Sequence, residues 1–133
     1  MKYIGAHISA SGGVENAPIA NHVRNRWSVG TEYAGEKFYA RSEYIKANDG
    51  GLKRCGAYAS AVWKVVPNKW DVLGKYDYYD SNLSASNNTV SDITLGVNYS
   101  FSFLSRVQLN YIYTDDKALG ENNMLAAQLQ LFF

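Results

Sequence analysis

The sequence predicts an all-β protein, an antiparallel up-and-down meander of about seven long strands preceded by a short segment of different character. Three observations carry that prediction. From Arg26 onward, apolar residues recur at every second position in one segment after another, the period of a strand with two unlike faces. Each segment runs to about ten residues, beyond the five or six usual in soluble sheets. The chain closes on N-M-L-A-A-Q-L-Q-L-F-F, residues 123–133. There Phe133, Leu131, Leu129, Ala127 and Leu125 form a wholly apolar register, while Gln130 and Gln128 mark the other.

Composition narrows the function classes. The 133 residues suffice for one domain. The formal net charge of +1 gives no bulk electrostatic case for a nucleic-acid partner. A single cysteine, Cys55, excludes an intrachain disulfide framework and a cysteine-rich zinc site, and it reads as a small hydrophobe. Eleven tyrosines with only two prolines suit strands and turns. No window approaches the roughly 18 apolar residues of a membrane-crossing helix, but a barrel strand needs only alternation.

Taken in order, residues 1–21 read as a short buried strand over Tyr3–Ile8, a turn at Gly12-Gly13, and the start of a helix from Val14 to Ala20. No apolar run of signal-peptide length is present there. The pattern changes at Asn21, where a boundary is placed between segments 1–21 and 22–133. Strand one sets Trp27, Val29, Thr31 and Tyr33 against Arg26, Ser28, Gly30 and Glu32, and a tight turn follows at Ala34–Glu36. Strand two, 37–46, sets Phe38, Ala40, Ser42 and Tyr44 against Lys37, Tyr39, Arg41 and Glu43; a longer polar connection, 47–52, comes next. Strand three, 53–66, places Cys55, Ala57, Ala59, Ala61, Trp63 and Val65 on one face, and Arg54, Tyr58, Ser60 and Lys64 on the other. Pro67-Asn68-Lys69 is a turn.

Strand four, 70–79, opposes Trp70, Val72, Gly74, Tyr76 and Tyr78 to Asp71, Lys75 and Asp77, and residues 80–91 form a loop rich in Ser and Asn. Strand five, 92–101, carries Ile93, Leu95, Val97, Tyr99 and Phe101; strand six, 106–114, carries Val107, Leu109, Tyr111 and Tyr113. A polar loop over 115–122 leads into the last strand. The expected connections alternate short and long, placing 47–52, 80–91 and 115–122 on one side of a membrane. Trp27, Tyr33, Tyr44, Trp63, Trp70, Tyr78, Tyr99, Phe101, Tyr113 and Phe133 fall near strand ends on the apolar register, as aromatic girdles do at two bilayer interfaces.

Two family resemblances follow from stretches of this sequence. K-Y-I-G-A-H-I-S-A-S-G-G, residues 2–13, resembles the opening of the endonuclease IV family, a three-zinc TIM-barrel fold that cuts DNA at abasic sites. The C-terminal strand ending on Phe resembles that of bacterial outer-membrane β-barrels, where the assembly machinery reads it. G-T-E-Y-A-G-E-K-F-Y-A-R-S-E-Y (30–44), I-T-L-G-V-N-Y (93–99), V-Q-L-N-Y-I-Y-T-D (107–115) and the closing L-A-A-Q-L-Q-L-F-F look like the C-terminal part of Gram-negative porins, nearest the phosphate-selective porin O and P type. That resemblance implies a partial outer-membrane barrel, passive diffusion of small solutes with anions among them, lipid as a partner, and compatibility with a homo-oligomer.

The chemistry available favours the pore over the nuclease. A three-zinc site needs many His, Asp and Glu ligands on several barrel strands, and this chain has two histidines. His7 is expected to be inert, and His22 is given no role. No catalytic residue, cofactor or metal site is expected, so the chain reads as no enzyme. Asp49, Asp80, Asp115 and Asp116 fit no calcium-loop spacing. The candidate pore-lining residues are Arg26, Lys37, Arg41, Arg54, Lys64, Lys75 and Arg106, offset by Glu32, Glu43, Asp71 and Asp77. That is a mild cationic excess, with Arg41 beside Glu43 and Lys75 between two aspartates reading as paired walls. A truncated, inactive repair nuclease and a soluble β-sheet binding protein are the alternatives. The soluble reading expects the apolar register to face a protein core. An odd strand number and unsatisfied edges further lead to the expectation of a fragment, the front of a nuclease-like frame joined to the back of a porin.

Overall fold

The computed structural model describes residues 2–16, 21–102 and 105–131. Eight strands run in chain order: β1 (Tyr3–Asn16), β2 (Asn21–Ala34), β3 (Phe38–Asp49), β4 (Leu52–Val66), β5 (Trp70–Asp80), β6 (Thr89–Ser102), β7 (Ser105–Asp116) and β8 (Gly120–Leu131). They form one sheet, each strand hydrogen-bonded antiparallel to the next. Contacts between elements join only sequence neighbours, so β1 and β8 are free edges and the sheet is open. No helix occurs among the described residues.

The N-terminal stretch departs from expectation. It holds no turn at Gly12-Gly13, and residues 14–16 are strand rather than helix; residues 17–20 lie outside the described part. β1 pairs with β2 from Tyr3↔Ala34 to Asn16↔Asn21. The reason is visible in the chain: Ile4, Ala6, Ile8 and Ala10 alternate with Gly5, His7, Ser9 and Ser11, the same period as every later strand. Eight strands therefore stand where about seven were expected.

The strands also run further than the alternation suggested, and the connections shrink. The expected loop 47–52 is a two-residue turn, Gly50-Gly51, with φ of 62° and 94° that glycine adopts without steric cost. Its amide at Gly51 donates to Asn48 Oδ1 at 3.0 Å. The expected loop 115–122 contracts to 117–119, where Asp116 Oδ1 accepts the amides of Ala118 and Leu119 at 2.8 and 3.1 Å. Only 81–88 is long among the described connections. There Asp80 Oδ1 accepts the Asn82 amide and Asn88 Nδ2, each at 2.9 Å, and the Leu83 amide donates to Lys53 O at 2.9 Å, folding the loop over the start of β4. The short–long alternation thus fails, although its parity holds: turns 50–51, 81–88 and 117–119 share one edge of the sheet, and 35–37 and 67–69 the other.

The described residues enclose no interior. Among the described residues Cys55 is the one buried apolar side chain, while Trp27, Trp63, Trp70, Leu95, Leu109 and Leu125 are all exposed. A sheet this long cannot be held by hydrophobic burial against itself; its apolar area awaits a partner phase.

Candidate pore-lining face

Directly opposed residues of an antiparallel ladder share a face, so the pairing sorts the side chains. One row reads Ile8, Val29, Tyr44, Ala57, Tyr78 and Ser91 across six strands. Another reads Ala61, Gly74, Leu95, Tyr111 and Leu125. These rows make one apolar face from edge to edge, and every apolar register read from the sequence falls on it. Charges reach this face only at its loop end, as Lys46, Lys53, Asp80, Asp115 and Glu121.

Aromatic rings band the same face. Near turns 35–37 and 67–69, Tyr33 meets Phe38 at 6.1 Å, Phe38 opposes Trp63, and Trp70 meets Tyr99 at 4.5 Å, with Phe101 at 6.4 Å beyond it. Toward the other edge, Trp27 and Tyr44 lie 5.5 Å apart. Phe133 lies outside the described residues. The two bands are about 20 Å apart along β2 and β3 at 3.3 Å per residue, close to the height of an outer-membrane barrel's apolar belt.

The opposite face is polar, and it carries six of the seven candidate pore-lining residues: Arg26, Arg41, Arg54, Lys64, Lys75 and Arg106. Lys37 does not join them. It precedes β3 in the 35–37 turn, where its carbonyl accepts the Lys64 amide at 2.8 Å. The ladder adds Arg24, Asp49 and Asp116, which the expected strand limits had left outside, and Asp92, which opened an expected strand but was not counted on its polar register. Among the described side chains the face therefore holds seven basic residues and seven acidic ones, Glu32, Glu43, Asp49, Asp71, Asp77, Asp92 and Asp116. The wall is balanced where the sequence suggested a cationic excess. Continuing the alternation through Asn48-Asp49 and Ser91-Asp92 was the signal that would have found the missing acids.

These charges are organised. Asp49 holds two arginines, Arg26 Nη2 on Oδ1 at 3.4 Å and Arg54 Nη1 on Oδ2 at 3.7 Å. Lys75 Nζ sits 2.9 Å from Asp77 Oδ1. Tyr58 lies between a cation on each neighbouring strand, with Arg41 5.8 Å and Lys75 5.9 Å from its ring and its hydroxyl donating to Glu43 Oε2 at 3.3 Å. His7 reaches across β2 to Glu43 Oε1 at 3.5 Å. It can do so because Gly30 lies beneath the ring, where any Cβ would collide with it. With Ser9 Oγ 2.7 Å from Ser28 Oγ, this fastens β1 to the polar face.

Across β6–β8 the same face changes character. Gln108 Nε2 donates to Asn98 Oδ1 at 3.0 Å, and Arg106 Nε to Gln130 Oε1 at 2.7 Å. The Asn110 side chain lies over Gly96, where a Cβ would strike it. In the turn after β7, Lys117 Nζ donates to Asp115 Oδ2 at 2.7 Å, and this contact raises the Lys117 ammonium above its ordinary range.

A single antiparallel meander, apolar and aromatic-banded on one side and hydrated on the other, is the wall of a transmembrane β-barrel. The chain belongs to the phosphate-selective porin O and P family, whose model matches residues 5–133. The match begins within β1. No solved structure matches the chain. Membership makes this an outer-membrane porin sequence, and porins in general are not enzymes.

Proposed function

We propose that the chain forms part of the wall of an outer-membrane pore that passes small hydrophilic solutes by passive diffusion. The observation that carries this reading is the continuous apolar face of all eight strands, which has no protein core to cover it. Hydrocarbon satisfies that face, and water in a lumen satisfies the other. A soluble β-sheet protein would have turned those residues inward. The pore-lining set is then Arg24, Arg26, Arg41, Arg54, Lys64, Lys75 and Arg106 with the seven carboxylates of the same face, and Lys37 stands at the mouth near the 35–37 turn.

The balanced wall supports modest charge selectivity, with any preference for anions set locally by the arginines of β2–β4 rather than by net potential. Residues 1–21, which resemble the endonuclease IV opening, serve here through their described part as edge strand β1, and residues 22–133 supply the rest. The test is reconstitution into planar bilayers under a salt gradient. Stepwise conductance with a small reversal potential is expected; an inability to insert, with the chain monomeric and folded in plain buffer, would refute the pore.

A further inference from the structure

The apolar face of β3 and β4 carries two cations that nothing in the sheet neutralises. Lys46 opposes Trp27 on one side and Cys55 on the other, and Lys53 opposes Asn48, so both lysines lie on this face at its loop end. They are diagonal neighbours across the ladder, a spacing of roughly 7–8 Å at which two long side chains converge on one group. Among the described residues neither ammonium has a hydrogen-bond or ion-pair partner. The one carboxylate that β2–β5 place on that face, Asp80, is 8% exposed, and its Oδ1 is taken by the Asn82 amide and Asn88 Nδ2. The other acids at this level, Asp115 and Glu121, stand on β7 and β8, at least three strands from Lys53.

The aromatic rings set the depth of this pair. Trp27 and Tyr44, 5.5 Å apart, mark the bilayer interface near this edge; Lys46 stands level with Trp27, and Lys53 about 7 Å further toward the turns. That is headgroup depth, where a lysine sends its ammonium outward and lays its methylenes on apolar surface.

From the lysines, a hollow runs toward the bilayer centre. Ala57, Ala59 and Ala61 of β4 are small, while Tyr44 and Tyr78 stand on either side of Ala57. A hollow of about 320 Å³ is lined by Val29, Thr31, Ser42, Tyr44 and Ala57, and it shares Thr31 and Ser42 with a larger groove over Ala59, Ala61 and Gly74. The Thr31 and Ser42 hydroxyls bond one another at 2.9 Å, so the floor between them asks for no outside partner. The run from Cys55 to Ala61 covers about 20 Å, more than the ~15 Å depth of one leaflet's chains.

Resting on the pore reading above, we propose that this flank seats one anionic membrane lipid, its headgroup phosphate between Lys46 and Lys53 and an acyl chain in the groove along β4. Charge complementarity selects the occupant. An anionic headgroup neutralises the two ammoniums, whereas a zwitterionic one brings a cation of its own beside them. Each lysine is expected to contribute about fivefold in affinity.

The experiment reconstitutes the full chain in phosphatidylcholine vesicles that hold an equal minor fraction of either brominated-chain phosphatidylglycerol or brominated-chain phosphatidylcholine, and reads tryptophan fluorescence. Trp27 stands beside Lys46, and Trp63 at the far end of the groove. Stronger quenching by the phosphatidylglycerol is expected. Lys46→Gln and Lys53→Gln should each cut that excess several-fold. Ala59→Leu, which fills the groove, should cut it with both lysines in place, and Lys117→Gln, in the turn after β7, should leave it unchanged. Circular dichroism equal to the parent's establishes that each variant folds. Equal quenching by the two brominated lipids overturns the proposal. So does an excess that Ala59→Leu leaves intact, the mark of a diffuse attraction with no chain seated. Quenching by neither lipid means that water or protein covers this face, which sinks the pore reading itself.

Discussion

The polar face of β2–β5 and that of β6–β8 are built from the same ladder and hold water in different ways. The first is a field of paired charge: Asp49 between two arginines, Lys75 on Asp77, and Tyr58 under two cations. The second is mainly amide and hydroxyl, with Gln108 bonded to Asn98, Gln130 bonded to the single Arg106, and Asn110 and Gln128 on the same face. Their apolar backs differ too. The small side chains Ala40, Ser42, Ala59, Ala61 and Gly74 of β3–β5 leave a shallow groove of about 670 Å³ that Ile93 and Leu95 of β6 also line, whereas β7 and β8 present Leu109, Leu125 and Leu129. Selectivity should therefore reside in the first flank, while both flanks should depend alike on hydrocarbon behind them.

The largest expected effect tests that second half of the contrast. Leu95→Arg in β6 and Ala59→Arg in β4 each place a cation on the lipid side of the sheet. Each should cost about 2–4 kcal/mol near the bilayer midplane. Thr94→Arg, one residue away on the polar face, should be near neutral. Urea unfolding from vesicles measures all three. A small cost at Ala59 alone would mean that the two flanks face different surroundings.

Glycine substitutions come next. Gly96→Ala would meet both the Asn110 side chain and Leu73 Cβ at 3.4 Å, and should lower stability by about 1 kcal/mol. Gly30→Ala meets only the His7 ring, which can swing away, so it should cost less and release Glu43 from His7. Equal losses in the same unfolding assay would contradict this difference between the two glycine sites.

Charge selectivity sharpens the contrast directly. Asp49→Asn removes the carboxylate shared by Arg26 and Arg54 and should move the reversal potential toward anions. Its effect on stability should stay within about 1 kcal/mol, because both arginines are well exposed. Gln128→Ala on the other flank should leave the reversal potential where it was.

The smallest effect is a pH effect at the loop end. Lys117 has its ammonium raised by Asp115, so the contact is fully present below the ordinary lysine range and fades as pH rises through the raised value. Melting temperature should show no step from this pair at neutral or mildly alkaline pH, with a slight fall only in strong alkali. Lys117→Ala should remove that fall.

Much of this was legible because a period of two is a physical signature. Within the described strands β2–β8, away from the irregularities at Lys64–Val66 and Ser100–Ser102, a residue's face follows from its parity, and the pairing places the apolar registers as the alternation implies. Strand ends were harder, for a chemical reason: a lumen-facing residue and a loop residue both meet water, so Asp49 and Asp116 read as loop when they are wall. With Asp92, which opened an expected strand but was not counted with its polar register, they change a cationic excess into balance. Lys37 erred in the opposite direction, a turn residue that fitted the alternation. At the N-terminus, Gly12-Gly13 and the nuclease-like motif outweighed an alternation already present from Ile4 to Ala10. Closure was out of reach, because pairing between edges depends on partners outside a strand's own pattern.

The three tryptophans, Trp27, Trp63 and Trp70, all project from the apolar face, which makes them reporters of what covers it. Vesicles containing lipids brominated along the acyl chain should quench their fluorescence strongly, with aqueous iodide having little effect. Strong iodide quenching with none from brominated chains would show that this face meets water or protein, and would contradict the membrane account.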